Sequence, residues 1–438
     1  MSGEVRDPVA VEPALRRSGA SLAAATFASG ILGYVYIVVL TRSLGPQLYG
    51  ELGALLGLTV IFAVTSTALQ LEATRAVALD PAGPTGWILR RGALVSVGTM
   101  VLGLLIAPLV VRTLHLSSAW PAIGVAAVLL PQTFIGGQLG ILLGGGRHVA
   151  FSLLLVLSAG SRTVAAVATA VLGGGPNLAL WITAATALAV NGIGALQLRR
   201  GDAGGVSRER GVSTRHTAEE VMLAGNETIV EVGLVESAES GTTRPGWGGL
   251  VRASIGAGAL LALLNADLLA ARSVLGGTES GWYAFLTLFG RVTFWGTNFL
   301  ALWVFPHVAS RGSASRAVRV ALAAVAAVGT LAIVVTWAFD DALTRALAGP
   351  AYAAAAPSAP AFAAVGMLLA VVQLATYVDV ARARHTVSVI VWLGAFAVAT
   401  AVRFVAPVTV RGIVTTALVV LAVVAGLSLA TLVPRKAT

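Results

Sequence analysis

The sequence predicts an all-α polytopic membrane protein, with about twelve transmembrane helices in two pseudo-symmetric six-helix bundles around a central cavity. The first observation is composition: hydrophobic residues make up 57% of the chain, charged residues only 11%, and the mean hydropathy is +0.88. A soluble domain carries about 25% charged residues, so this chain has too little polar surface for water. The second observation is the recurrence of uncharged runs of about 20 residues, the length that spans a bilayer. The third is an unusual turn that occurs once in each half.

The first half is predicted to form an N-lobe of six transmembrane helices at 18–198, after a cytoplasmic N-terminal tail at 1–17. The apolar run at 18–41 is too long for the apolar region of a cleavable signal peptide. The GGGPN stretch at 173–177 divides a long apolar segment into two spans. The six predicted spans are 18–41, 52–71, 92–111, 116–146, 149–172 and 177–198.

The second half is predicted to form an equivalent six-helix C-lobe at 249–434, followed by a cytoplasmic tail at 435–438. Residues 199–248 between the lobes form the only extended polar stretch. This stretch begins basic, becomes acidic and is rich in Gly and Ser, which indicates a flexible cytoplasmic linker. The six predicted spans are 253–274, 280–305, 320–339, 357–378, 386–406 and 412–432.

The net charge of +10 is interpreted as a signal of membrane topology. With twelve spans, 20 of the 29 Lys and Arg residues fall on the side of the N-terminus and 6 on the opposite side. Because basic residues favour the cytoplasmic side, both termini are predicted to be cytoplasmic, and no nucleic-acid partner is predicted. The chain has no cysteine, which excludes disulfides, Cys-ligated metals and thiol nucleophiles.

The repeated turn is LTRSLGPQLYGELGALL at 40–56 and LAARSVLGGTESGWYAF at 269–285. In both, an Arg-Ser pair ends a long apolar run, a Gly-containing bend follows, and an aromatic residue precedes the next run. Each turn follows the first predicted span of its half, so both are expected on the same side of the membrane. A parallel repeat about an axis along the membrane normal has this property, and coincidence is the alternative.

At these residues the chain resembles the oligosaccharide flippases, a Wzx-like polysaccharide biosynthesis family of the multidrug/oligosaccharidyl-lipid/polysaccharide (MOP) exporter superfamily. The stretch at 40–55 is similar to the turn between that family's first two helices, and 263–285 to its seventh-to-eighth-helix segment. VFPHVASRG at 304–312 resembles the end of the eighth helix, and 347–385 the ninth-to-tenth loop with the tenth helix. The similar stretches are spread over most of the chain.

The resemblance implies a MATE/MOP-like fold, in which two six-helix bundles form a V around a cavity that opens alternately to each side. It also implies an activity, the flipping of a polyprenyl-diphosphate-linked oligosaccharide from the inner to the outer leaflet for cell-surface polysaccharide biosynthesis. The location would be the plasma membrane of a bacterium. The expected partners are the lipid-linked oligosaccharide, membrane lipids and other polysaccharide-assembly proteins, and no cofactor is expected.

Arginines within or beside the spans are the candidate contacts for a diphosphate headgroup. A charge inside a span costs about 2.5–3.5 kcal/mol on insertion scales and so tends to face a cavity or a partner, and Arg offers a planar fork of donors. Arg162 lies deep in the fifth span and Arg291 about three turns into the eighth. We predict that Arg42, Arg162 and Arg291 contact the headgroup. For Arg42 and Arg272, at the repeated turns, snorkelling to the outer interface is the alternative.

Asp267 is the one deep acid that lies in a recognisable motif. It is predicted either to gate the cavity by pairing with an Arg across the lobes or to form a static pair with Arg272. Asn265 and Asn298 are predicted to hydrogen-bond sugar hydroxyls, and bridging between helices is the alternative.

Two other classes of protein stay open from the sequence. A drug/cation antiporter of the same fold needs an acid inside the bundle, but the N-lobe acids Glu51 and Glu72 lie near span ends, where Glu72 is expected to pair with Arg75. Asp267 keeps this alternative open. A membrane enzyme acting on lipid-linked sugars needs a catalytic loop outside the membrane, and the longest outer loop, 340–356, holds only two aspartates. We therefore predict a transporter and no enzyme.

Overall fold

The computed structural model describes residues 11–80, 83–203, 247–309, 314–381 and 384–432. Within these ranges, the side chains that lie outside the description are those of 11–20, 23, 200–203, 247–257, 298–309, 314, 315, 317, 380 and 381. In the described chain all regular structure is helical, with twelve α-helices and one 3₁₀ helix. The predicted fold class is thereby confirmed. Most of the predicted linker, at 204–246, and most of both tails lie outside the described residues.

The N-lobe consists of α1 to α5, and α1 supplies two spans. It bends sharply at Gly45, where φ is 68° and ψ is 174°. Glycine adopts this φ without the steric cost that a Cβ imposes, and Pro46 suits the first turn of the helix that follows. The bend therefore separates the first two predicted spans. The helices are α1 Val11–Leu79, α2 Gly86–Thr113, α3 Trp120–Gly144, α4 His148–Val171 and α5 Pro176–Ala203.

The C-lobe contains six long helices and a short pair between its third and fourth spans. The turn that corresponds to Gly45 is here a break, because α6 ends at Val274 and α7 begins at Gly277. The elements are α6 Trp247–Val274, α7 Gly277–Ala309, α8 Ala314–Ala338, α9 Asp340–Ala348, a 3₁₀ segment Pro350–Ser358, α10 Ala359–Ala381, α11 Thr386–Phe404 and α12 Val410–Ala430.

The twelve predicted spans coincide with the two halves of α1 and ten further helices. By length and composition, nine helices of the described residues are suited to cross a membrane, with α1 counted once. The fourth span begins later than predicted, at Trp120, because α2 ends at Thr113 and a short turn follows. The helix α9 and the 3₁₀ segment were not predicted, since the sequence there indicated only a loop.

The lobes meet along a seam between the second half of α1 and the helices α6 and α7. Backbones touch at its end, where a Cβ on Gly281 would overlap the Pro46 carbonyl. One and two turns further along, Gly50 packs against Ser280 and Gly53 against Ala284. Small residues allow this close approach of helix backbones in a membrane bundle.

Two names are used below for the ends of the bundle. The turn face carries the Gly45 bend and the break between Val274 and Gly277. The terminal face is the opposite end, where the described chain begins at Val11 and ends at Leu432. In the predicted topology the terminal face is cytoplasmic, and the seam holds the lobes together at the turn face.

Candidate substrate site

A cavity of about 300 Å³ lies between the two lobes. It is lined by α1, α3, α4 and α5 of the N-lobe and by α6 and α7 of the C-lobe. The lining begins beneath the seam at Tyr49 and Gly53 and extends toward the terminal face as far as Thr26 and Gln70. The cavity is therefore a site that neither lobe forms alone.

Among the described residues that line the cavity, the only charged groups are two arginines, and none is Asp or Glu. Arg162 comes from α4 and Arg291 from α7, so each lobe contributes one. Each lies 14 residues after the start of its helix, which is about 21 Å at 1.5 Å per residue. Both therefore lie within a hydrocarbon core about 30 Å thick. Two of the three arginines predicted to contact a headgroup thus lie in one cavity.

Arg291 is held from behind by a neutral side chain. Its Nη2 donates a hydrogen bond to Asn265 Oδ1 at 2.8 Å, while its buried Nε has no hydrogen-bond partner. Tyr34, Tyr49 and Asp267 lie close enough to interact with its charge. Because the guanidinium is only half-buried and belongs to a residue that lines the cavity, it can bind an anion that enters the cavity.

Hydroxyl, amide and aromatic groups surround the arginines. Tyr36 lies close enough to Arg162 to interact electrostatically. Such groups can hydrogen-bond and stack against a polar ligand that carries many hydroxyls. Polar lining residues include Ser29, Thr59, Thr67, Gln70, Gln132 and Ser158. Aromatic lining residues are Tyr34, Tyr36, Tyr49, Phe151, Phe294 and Trp295.

The tyrosines beside the arginines were not predicted from the sequence as part of the site. Tyr34 and Tyr36 belong to the uncharged first span, and Tyr49 was interpreted only as part of the repeated turn. Tyrosine in a membrane helix is usually assigned to the interface, so no periodic signal distinguished these three. Their distance from the span ends was the one available clue for Tyr34 and Tyr36.

Asp267 lies behind the cavity wall. It is 5% exposed and accepts a hydrogen bond at 2.9 Å from the buried hydroxyl of Tyr283 on α7. The predicted contact with Arg272 is not formed, because residues five apart on a helix point about 140° away from each other at 3.6 residues per turn. The opposite charge that interacts with the Asp267 carboxylate is Arg291 of the same lobe. Among the described residues, no Arg of the N-lobe forms the predicted gating pair with Asp267.

The two turn arginines lie at the turn face and outside the cavity lining. Arg42 donates from Nε to the Leu347 carbonyl at 3.2 Å and from Nη2 to the Ala346 carbonyl. Arg272 donates from Nε to the Leu114 carbonyl at 2.9 Å. Its Nη1 and Nη2 groups reach Ser280 Oγ at 2.6 Å and the His115 carbonyl at 3.3 Å. This geometry gives Arg42 no part in the cavity.

The structure describes the side chain of only one of the two asparagines that were predicted to contact sugar. Asn265 is fully buried and is bonded within its lobe rather than lining the cavity. Asn298 belongs to the part of α7 whose side chains lie outside the description, so its contact with sugar stays a prediction. In the described residues no group of three His, Asp or Glu side chains converges as a metal ion would require.

Solved structures with the same fold are transporters. One is a multidrug resistance MATE family transporter of the MOP superfamily in an inward-facing conformation, with a TM-score of 0.69 and 12% identity over 92% of this chain and 93% of that chain. Another is a MOP superfamily transporter from Pyrococcus furiosus, whose binding pocket is described as reversed in polarity, with a TM-score of 0.50 and 13% identity over 95% of each chain. No protein-family model and no curated protein matches the chain. The chain therefore has the fold of MOP superfamily transporters, which makes it a multi-pass membrane protein.

Proposed function

We propose that this protein moves a polyprenyl-diphosphate-linked oligosaccharide from the inner to the outer leaflet of a bacterial plasma membrane by alternating access. The observation that carries the proposal is the charge of the cavity. Two guanidinium groups from opposite lobes line it, and no carboxylate does so among the described residues. Such a cavity favours an anionic ligand.

A diphosphate fits the two arginines for reasons of charge and geometry. Charge-assisted hydrogen bonds from guanidinium to phosphate are about twice as strong as neutral ones. Arg162 and Arg291 belong to different lobes, and their positive charges repel each other in the empty cavity. A bound diphosphate would neutralise this repulsion between the lobes. The hydroxyl, amide and tyrosine groups nearby suit the sugars of the headgroup. Cell-surface polysaccharide assembly would supply the lipid-linked sugar and use the flipped product.

The second candidate is a drug/cation antiporter of the MATE type. The fold neighbours favour it, because one is a multidrug resistance transporter. Fold alone does not determine the ligand, and a neighbour with a pocket of reversed polarity illustrates this point. A cation would require a carboxylate in the cavity, whereas Asp267 lies outside the lining and already accepts from Tyr283. Since the fold neighbours are transporters, we propose no enzymatic activity.

The proposal is tested by deleting the gene in its host and analysing the lipid-linked intermediates. Accumulation of an undecaprenyl-diphosphate-linked oligosaccharide on the cytoplasmic side is expected. In parallel, the purified protein in lipid nanodiscs is titrated with undecaprenyl diphosphate and with an organic cation dye. Binding of the dye but not of the lipid diphosphate, with unchanged intermediates in the deletion strain, would establish the antiporter instead.

A further inference from the structure

Asn265 occupies an unusual place between the cavity arginine and the seam. It has no exposed surface, and its amide lies against Gly57 of the N-lobe, where a Cβ would come within 3.2 Å of Oδ1. A buried amide is costly unless its hydrogen bonds are made. Here both ends are engaged, because Nδ2 donates to the Leu261 carbonyl at 2.9 Å and Oδ1 accepts from Arg291 at 2.8 Å.

These two bonds determine which way the amide points. The Leu261 carbonyl can only accept and the Arg291 guanidinium can only donate. The amide nitrogen must therefore face Leu261, one helical turn back, and the amide oxygen must face Arg291. The side chain is a fixed acceptor aimed at Nη2, which limits the rotation of the guanidinium on its flexible stem.

We propose that Asn265 is a positioning residue, which holds Arg291 toward the cavity without neutralising its charge. This inference rests on the proposed function, because the held charge is useful only to an anionic ligand. A carboxylate at this position would hold the guanidinium equally well but would compete with phosphate for it. A neutral amide in direct contact leaves the charge of the guanidinium available to the diphosphate, which a carboxylate at the same place would not do.

The test is a double-mutant cycle on the affinity of the full chain in nanodiscs for undecaprenyl diphosphate. Asn265→Ala is expected to weaken binding about tenfold, as the loss of a hydrogen bond to a charged group would. Arg291→Ala is expected to weaken it further, and the double variant no further than Arg291→Ala alone. Asn265→Asp, which keeps the acceptor but adds a charge, is also expected to weaken binding.

Asn191→Ala is the matched control. Asn191 is another buried amide, which donates to the Pro131 carbonyl at 2.9 Å and is not among the residues that line the cavity, so its loss should leave affinity unchanged. Independent, additive effects of Asn265→Ala and Arg291→Ala, or full affinity in Asn265→Asp, would overturn the positioning role. If the wild-type chain does not bind the lipid diphosphate at all, the proposed function itself fails and this role with it.

A second observation, independent of the ligand, concerns the two arginines of the repeated turns. Arg42 of the N-lobe reaches the carbonyls of Ala346 and Leu347 at the end of α9 in the C-lobe. Arg272 of the C-lobe reaches the carbonyls of Leu114 and His115, the two residues that directly follow the end of α2 in the N-lobe. The two arginines, which are equivalent in the repeat, thus each donate to backbone carbonyls near the C-terminal end of a helix in the opposite lobe.

Helix ends explain why these contacts are favourable. The last carbonyls of a helix have no partner within it, and the C-terminal end carries a partial negative charge that attracts a cation. Arg272 is 7% exposed, and Glu51 lies close enough to interact with its charge. We infer that Arg42 and Arg272 form a reciprocal latch, which keeps the turn face closed and must break when the cavity opens toward that face.

The natural absence of cysteine allows a direct test with spin labels. Labels on Ser118→Cys and Val408→Cys, both exposed at the turn face on opposite lobes, report the lobe separation by double electron–electron resonance. Arg42→Ala and Arg272→Ala are each expected to shift the distance distribution to longer values. The control Arg345→Ala removes an exposed Arg at the turn face whose one ion pair within the described chain is with Asp341 of its own helix, and it should leave the distance unchanged. Unchanged distances in both latch variants would overturn the latch.

Discussion

A buried acid and a half-buried arginine of the C-lobe are each hydrogen-bonded to a neutral partner. Asp267 accepts from Tyr283, and Arg291 donates to Asn265. A charge in a membrane interior is costly and usually has a functional reason. A neutral partner satisfies a hydrogen bond without neutralising the charge. The charge of Arg291 therefore stays available to Asp267 or to a ligand. This arrangement distinguishes the cavity wall from a simple structural ion pair.

Tyr283→Phe should therefore destabilise the protein by removing the hydroxyl that Asp267 accepts. Loss of a donor to a buried acceptor costs about 1–3 kcal/mol, and the carboxylate here is 5% exposed. Thermal unfolding in detergent measures the effect. Tyr352→Phe is the matched control, because Tyr352 is equally buried but its hydroxyl makes only a long contact, 3.4 Å, with the Thr41 carbonyl. Equal losses in the two variants would contradict a special role for the Asp267 contact.

At the scale of helices, the repeated turn is achieved by two different backbones. In the N-lobe the helix continues through a glycine with positive φ, whereas in the C-lobe it stops and restarts at Gly277. Both solutions bring a helix start to the seam at the same level, where Pro46 meets Gly281. The close approach of these backbones is the element-level feature that holds the lobes together.

Gly281→Ala should accordingly disturb the seam, because the new Cβ would overlap the Pro46 carbonyl and backbone must shift. Overpacking of this kind costs roughly 1–3 kcal/mol, although alanine is the better helix former. Gly276→Ala is the control, since a Cβ there meets nothing within 4 Å, and an effect within about 0.5 kcal/mol is expected. Thermal unfolding of both variants gives the comparison. Equal stability of the two variants would show that the backbones at the seam can move apart at little cost, which would contradict the prediction.

At the scale of the whole molecule, the sequence determined the helices and the depth of the charges but not their partners. Span length and the cost of buried charge placed Arg162 and Arg291 in the membrane interior, and the structure brings both to one cavity. Partner choice depends on how helices rotate and pack against one another. Glu72 was expected to pair with Arg75 three residues on, yet it forms an ion pair with Arg91 of α2.

The same limit explains the turn arginines. The repeated turn placed Arg42 and Arg272 at equivalent ends of two helices, but it carried no information on which carbonyls of the opposite lobe would lie beside them. The short helix α9, which receives Arg42, was itself invisible in a loop of small residues. Contacts between lobes are therefore the part of the candidate site that only the folded structure reveals.

The positive sign of the cavity is a property of the two lobes together, and it leads to a prediction that separates the candidate functions. Thr287 lines the cavity one helical turn from Arg291 on α7. An aspartate there would pair with Arg291, because residues i and i+4 face each other on a helix. Thr287→Asp should weaken binding of undecaprenyl diphosphate about tenfold, as expected when a charged hydrogen bond is lost. Binding of an organic cation should not weaken.

Thr287→Asn gives the matched control, since it has nearly the shape of aspartate without the charge. Its affinity for the lipid diphosphate should stay close to that of the wild-type chain. If the Asp and Asn variants bind equally well, the charge of the cavity does not select the ligand. If the wild-type chain and both variants bind an organic cation but not the lipid diphosphate, the native protein is better explained as a cation antiporter. Selective loss of the diphosphate in the Asp variant alone would assign the selection to the paired guanidinium groups of the two lobes.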